Sequence, residues 1–287
     1  MDFEEAIDLA DSHWELMGYS PRTRERYCLQ IRDMGRFLGT PPDEIRRADI
    51  RRYLLSAKRE RGLTNATVYS QVNAIRAFFK GLVDNGVLDE SPAEDLPLPK
   101  RSRKLPTFLT QSELQALLEV SEHSLRDHCL LEFMYATGVR VSEAVNMKVE
   151  SLNLKDNTAI VKSGKGDKDR LVILSRHAAS EITQYLRERT HASRYLFTGR
   201  SGTRLSSRYV QKIVSKYAEK AKIGKNVTPH VLRHTFATHM LENNVDIRAI
   251  QELLGHTSLA TTQVYTHVTG ERLRRLAAAH PREKMGD

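Results

Sequence analysis

The 287-residue chain reads as a mainly α-helical protein of two domains, the second of which carries a small antiparallel sheet. Three features predict this. Apolar side chains recur at helical spacing through the first ninety residues. The stretch "SPAEDLPLPKRSRKLP" then sets four prolines where no regular helix can run. Beyond it, two short β-rich runs flank a glycine-containing turn in an otherwise helical pattern.

In the first domain, residues 1–97, the pattern predicts four helices, near 3–17, 21–38, 49–60 and 65–84. Ser20 is placed to cap the second, with Pro21 at its first position, and Gly86 closes the fourth. Val72, Ile75, Phe79 and Leu82 form one apolar stripe, so the helices should bury one face each in a small bundle. Residues 98–108 read as a basic linker containing Lys100, Arg101, Arg103 and Lys104. The larger domain, 109–287, opens with Thr110 and Glu113 at capping-box spacing, and the apolar helix "LRDHCLLEFMYATG" should stop at Gly138. Ser142 and Glu143 are expected to start another helix. "TAIVKSG" and "RLVILS" predict a hairpin with Lys165 at its tip, and "YLFTG" is a candidate third strand. Helices follow near 206–222, 229–243, 246–254, 258–267 and 271–279.

Composition narrows the function classes. Hydrophobic residues make up 40% and charged residues 28%, and no apolar run approaches the roughly 20 residues of a membrane helix. The acidic, amphipathic first residues do not resemble a secretion signal, so a cytoplasmic protein is expected. Cys28 and Cys129 lie far apart outside any C-x-x-C pattern, which predicts two buried, inert thiols. The chain carries net +9, split as −3 up to residue 99 and +12 beyond it, and residues 20–80 form a basic band within the first part. This asymmetry fits a polyanion partner. Arg22, Arg24 and Arg26, the linker cations, and Arg204 and Arg208 are the candidate phosphate contacts.

Residues 230–267 hold five of the eleven histidines. His230 and Arg233, three apart on one predicted helix, share a face. Gly255 should end the preceding helix, which frees His256 from helical phase with Tyr265. Three chemistries could use this group. His230 and His234 have the spacing of a metalloprotease helix, but Val231 stands where the general-base glutamate belongs. No G-x-S-x-G elbow or cysteine motif supports an acyl-enzyme. Phosphoryl transfer with a tyrosine nucleophile remains. Without a metal, the charge on a phosphodiester must be balanced by fixed cations, for which arginine forks are suited. Arg140, just past Gly138, supplies a second one. A phenol with a pKa near ~10 needs a proton acceptor, and a leaving sugar hydroxyl needs a donor. The histidines and Lys165 could provide both. His234 and His239 have no chemical task and are read as structural.

The stretches "ATGVRVSEAV", "SGKGDKDRLVIL", "TPHVLRHTFATHML" and "LLGHTSLATTQVYTHV" resemble, in order and spacing, the signatures of the tyrosine recombinases, or phage-integrase-type recombinases, and within them the Xer type. The resemblance covers nearly the whole chain. It implies that the N-terminal bundle is a SAM-like core-binding domain on DNA and that the C-terminal domain is catalytic. It further implies that Tyr265 attacks the scissile phosphate to give a 3′-phosphotyrosyl bond. Arg140, Arg233 and His256 would hold the phosphate, His230 would act as general base and Lys165 as general acid, and Glu143 would support the arginines. No cofactor, metal or ATP is implied. The partners implied are a double-stranded recombination site and further copies of the chain in a tetramer on synapsed DNA, docked through the last helix. A DNA translocase or second recombinase is a further candidate partner. Chromosome-dimer resolution in the nucleoid is the activity expected. The alternatives are a mobile-element integrase, type IB topoisomerase-like relaxation, and an accessory DNA-binding protein.

Overall fold

The computed structural model describes residues 1–100, 107–162, 169–255 and 279. The chain divides into two compact units, Met1–Lys104 and Leu105–Asp287.

The first unit is a bundle of α1 (Phe3–Leu16), α2 (Pro21–Leu38), α3 (Arg47–Arg59) and α4 (Asn65–Asp84). Local chemistry sets its boundaries. Asp2 and Glu5 satisfy each other's backbone N–H groups at the start of α1. The Ser20 hydroxyl accepts from the Thr23 N–H at the start of α2, and Gly39 ends that helix in the left-handed region (φ 64°). The apolar stripes meet in a core built on Trp14, Ile31, Tyr53, Val72, Phe78 and Phe79. Two aromatic polar groups inside it are paired: the Trp14 indole donates to the Ala77 carbonyl, and the Tyr53 hydroxyl donates to Asp33 at 2.7 Å.

The second unit contains α5 (Gln111–Glu119), α6 (Leu125–Thr137), α7 (Val141–Asn146), the strands β1 (Leu152–Asn153), β2 (Thr158–Val161) and β3 (Arg170–Ile173), then α8 (Arg176–Glu188), α9 (Ser207–Lys220), α10 (Pro229–Glu242) and α11 (Ile247–Leu254). Every residue of α6 from Asp127 to Thr137 is buried, so this helix is the axis of the unit, with α5, α7, α8, α10 and β3 packed around it. The sheet is antiparallel in the order β1-β2-β3, with Ala159 opposite Val172 and Leu152 opposite Ala159. Both cysteines are buried free thiols, and burial pushes the Cys129 thiol well above its ordinary value. Among the described residues no helix is long and apolar enough to cross a membrane.

Two sequence expectations are corrected here. The third strand is Leu152–Asn153, not "YLFTG", where Tyr195 and Thr198 form only isolated bridges to Lys148 and Arg204. The cause is local turn chemistry. The Asn153 side chain accepts from the Asp156 N–H, and Asn157 adopts φ 52°, folding Leu152–Asn153 back onto β2. Helix α8, capped by the Ser175 hydroxyl, was not anticipated between the strands and residue 206. The expected helices near 258–267 and 271–279 and the hairpin tip fall outside the described residues.

Candidate active site

The polar centre of the second unit is built where three chain segments end. Helix α6 stops at Gly138 (φ 60°), α11 stops at Gly255 (φ 67°), and α10 starts at Pro229 behind the Thr228 cap. At Gly138 the left-handed turn is also a close approach: a Cβ there would lie 2.5 Å from Phe236 and 2.7 Å from Leu254.

The last carbonyls of α11 have no partners within the helix, and arginines from three different segments take them. The Arg170 Nε donates to the Leu253 carbonyl at 2.8 Å, Arg233 Nη2 to that of Leu254 at 2.7 Å, and Arg140 Nη2 to that of Gly255 at 3.2 Å. Arg233 Nη1 also donates to the Gly138 carbonyl at 2.7 Å, so one guanidinium ties the end of α6 to the end of α11. Arg233 is buried, whereas the Arg140 side chain is about a third exposed.

Glu143 balances this charge. Its carboxylate receives both Nη atoms of Arg170, at 2.9 and 2.7 Å, together with Arg140 Nη1 at 2.9 Å and the Arg140 backbone N–H at 2.7 Å. Burial alone would raise its pKa. The hydrogen bonds from Arg170 and Arg140 outweigh that and hold the carboxyl below its ordinary range. Glu143 therefore stays ionised between two arginines, and one of them, Arg170, is 5% exposed.

Of the six candidate catalytic residues, the structure gathers Arg140 and Arg233 at the end of α11, and it places His230 in the first turn of α10, exposed and one turn before Arg233. Lys165, His256 and Tyr265 lie outside the described residues, but the backbone that leads into His256 leaves from the clasped Gly255. Burial pushes the exposed-edge His234 imidazole down, and the charges of His230 and Arg233 push the same way. His239 has a different environment. It is buried, its Nε2 donates to the Leu109 carbonyl, and its Nδ1 accepts from the Tyr135 hydroxyl. His239 is thus held within the packing, whereas His234 stands exposed on α10.

Sequence reasoning missed Arg170. The signal was present, since an arginine in "RLVILS" occupies an inward position of the strand with Val172. Among the phosphate-contact candidates, Arg22, Arg26, Arg204 and Arg208 are exposed. Arg24 instead pairs with Glu15 at 2.6 Å and Asp11 at 3.6 Å, and Arg204 bonds to the Asn146 side chain. The Lys100 carbonyl accepts from Asn65, while Arg101, Arg103 and Lys104 fall outside the described residues.

Residues 7–88 match the phage integrase N-terminal SAM-like domain, and residues 107–272 match the phage integrase family. The chain is 41% identical to tyrosine recombinase XerA of Thermococcus kodakarensis, over 94% of this chain and 93% of the relative. It is 37% identical to tyrosine recombinase XerC of Bacillus pumilus, over 91% of each. The crystal structure of the XerH site-specific recombinase bound to palindromic difH substrate, a post-cleavage complex, superimposes with a TM-score of 0.68. It is 26% identical and spans 89% of this chain and 79% of that one. The chain therefore belongs to the phage integrase family and is a tyrosine site-specific recombinase, an enzyme that breaks and rejoins DNA.

Proposed function

We propose that the chain resolves chromosome dimers in the manner of Xer recombinases, acting as a tetramer on two copies of a duplex recombination site without metal, ATP or other cofactor. Tyr265 attacks the scissile phosphate, forming a 3′-phosphotyrosyl bond and releasing a 5′-hydroxyl. That bond conserves the energy of the broken linkage, so a partner strand's hydroxyl can reverse the step and pass through a Holliday junction. Arg140 and Arg233 balance charge on the nonbridging oxygens, with a hydrogen bond from His256. His230 accepts the phenolic proton and Lys165 protonates the 5′ oxygen. The N-terminal bundle and the basic linker hold the duplex, and the helix expected near 271–279 docks on a neighbouring protomer.

The observation that carries this reading is the pair of arginines. Two guanidinium groups from α10 and from the start of α7 are held by carbonyls at one helix end, directly before His256. The relatives add context: XerH was captured on its difH substrate, and the full-length similarity is to XerA and XerC.

The test is cleavage of nicked suicide duplexes carrying candidate chromosomal dimer-resolution sites, with chelator present, by wild type and Tyr265→Phe. A covalent protein–DNA band lost only in the phenylalanine variant is expected. Adducts on every duplex would instead indicate a topoisomerase, and specific binding without an adduct would indicate an accessory protein.

A further inference from the structure

Away from the arginine cluster, α6 and α8 bring two histidines and a carboxylate together. His177 and Glu181 stand four residues apart on α8, with His177 Nε2 3.9 Å from Glu181 Oε1. His128 on α6 faces them, its Nε2 3.8 Å from Glu181 Oε2. The three ligand atoms all lie within 4.8 Å of one another.

The buried histidine is held in one tautomer. The Ser121 hydroxyl donates to the Leu118 carbonyl at 2.6 Å, and His128 Nδ1 lies 3.1 Å from that carbonyl and 2.9 Å from the Ser121 oxygen. A carbonyl can only accept, and the serine proton is already committed, so Nδ1 carries the proton. Nε2, the other ring nitrogen, then faces a Glu181 carboxylate oxygen, and the His128 side chain is buried. With Nδ1 occupied by the carbonyl, Nε2 is the ring atom available to the space it shares with His177 and Glu181. A backbone carbonyl on the far ring nitrogen is also the arrangement that orients histidine ligands in metal sites.

We propose that His128, His177 and Glu181 form a binding site for a late first-row divalent cation such as zinc, with water in the fourth position. A tetrahedral ion with ligands at about 2.1 Å sets neighbouring donors about 3.4 Å apart, so small side-chain movements close the observed spacing. Two imidazoles and one carboxylate suit zinc, cobalt or nickel, and not magnesium or calcium. The ion ties α6 to α8 and shares no residue with the cleavage site. It acts as a staple on the helix whose other end holds Arg233 through the Gly138 carbonyl.

The experiment uses the untagged full chain, stripped with chelator, desalted, and titrated with zinc by calorimetry and with cobalt by visible absorption. One equivalent should bind, with a tetrahedral cobalt band, and a hundredfold excess of zinc over Kd should raise Tm by about 5 °C or more. His177→Ala and Glu181→Gln should each weaken binding at least ~10-fold. His177 is exposed, so its variant should fold with unchanged metal-free Tm. The imidazole pair at i, i+4 in the described residues, His230 and His234, provides the control. Loss of binding in His234→Ala with retention in His177→Ala overturns the assignment. So does the absence of saturable zinc binding below about 100 µM, which is the result if only a proton lies between His128 and Glu181.

Discussion

Arg170→Ala should unfold the second unit more readily than Arg140→Ala does, although Arg140 is the residue proposed to touch the phosphate. Removing Arg170 deletes two charge-assisted hydrogen bonds to Glu143 and one to the Leu253 carbonyl, all at a site 5% exposed to solvent. Breaking a buried ion pair costs about 3–5 kcal/mol. The remaining Arg140 contacts to Glu143 hold the loss toward the lower end, while the orphaned Leu253 carbonyl adds about 1 kcal/mol or more. A loss of about 4 kcal/mol is expected. Arg140→Ala leaves Glu143 still gripped by both Nη atoms of Arg170, and its own side chain is a third exposed, so about 1 kcal/mol is expected. Urea unfolding at pH 7.5, followed by circular dichroism, measures both. The single tryptophan, Trp14, lies in the first unit, so its fluorescence reports that unit separately and should not shift in either variant. The covalent-adduct assay should give a different order, with Arg140→Ala inactive while folded. Equal destabilisation by the two variants, or an Arg170→Ala transition within about 0.5 kcal/mol of wild type, would refute the reasoning.

Stability should also depend on pH through His234 and His239, whose imidazoles are pushed down, chiefly by burial. The unfolded chain then binds more protons than the folded one below pH 6.5, so this contribution is complete above 6.5 and is lost as pH falls toward the folded values. Tm scans from pH 7.5 to 5.0 should show the decline, and His239→Gln should flatten it. Gly138→Ala should cost about 2–4 kcal/mol by urea unfolding, from left-handed strain plus overpacking against Phe236 and Leu254. Gly39→Ala, with φ 64° and open space around it, should cost only about 1–2. In salt titrations of DNA binding, Arg22→Ala and Arg208→Ala should each lower the log–log slope by about 1. Arg24→Ala should leave it unchanged, because Glu15 and Asp11 already balance that charge.

The parts of this structure that are readable from sequence are those specified within a few residues. Ser20-Pro21 starts α2, Thr110 and Glu113 start α5, and Gly138 and Gly255 end α6 and α11, because caps and left-handed turns are local chemistry. The errors came where the local signal is too short to read or where a longer-range choice decides. "YLFTG" has good strand composition but pairs only through single bridges, while Leu152–Asn153, too short to show any alternation, completes the sheet because an asparagine-stabilised turn folds it onto β2. The same distinction holds at the site. Arg140, His230 and Arg233 are visible as motif residues, and the spacing of His230 and Arg233 puts those two on one helix face. Arg170 joins them across 27 residues to Glu143 and 83 to Leu253, a relation no periodicity encodes.

That long-range relation bears on how the two arginines proposed to hold a phosphate are positioned beside Glu143. A free guanidinium has many rotamers, and ordering it at the moment of DNA binding would weaken the interaction. Here the order exists before DNA arrives. Arg233 is fixed by two carbonyls, Gly138 and Leu254, whose partial negative charge favours the cation without neutralising it. Glu143, a full negative charge in the cluster, is occupied mainly by Arg170, which takes both of its oxygens. Arg170 thus takes both oxygens of Glu143 through its guanidinium fork, and the Arg140 side chain reaches that carboxylate through Nη1 at one oxygen. A buried arginine is, on this geometry, what keeps Glu143 from forming a two-pronged pair with the neighbouring Arg140, the residue proposed to hold a phosphate.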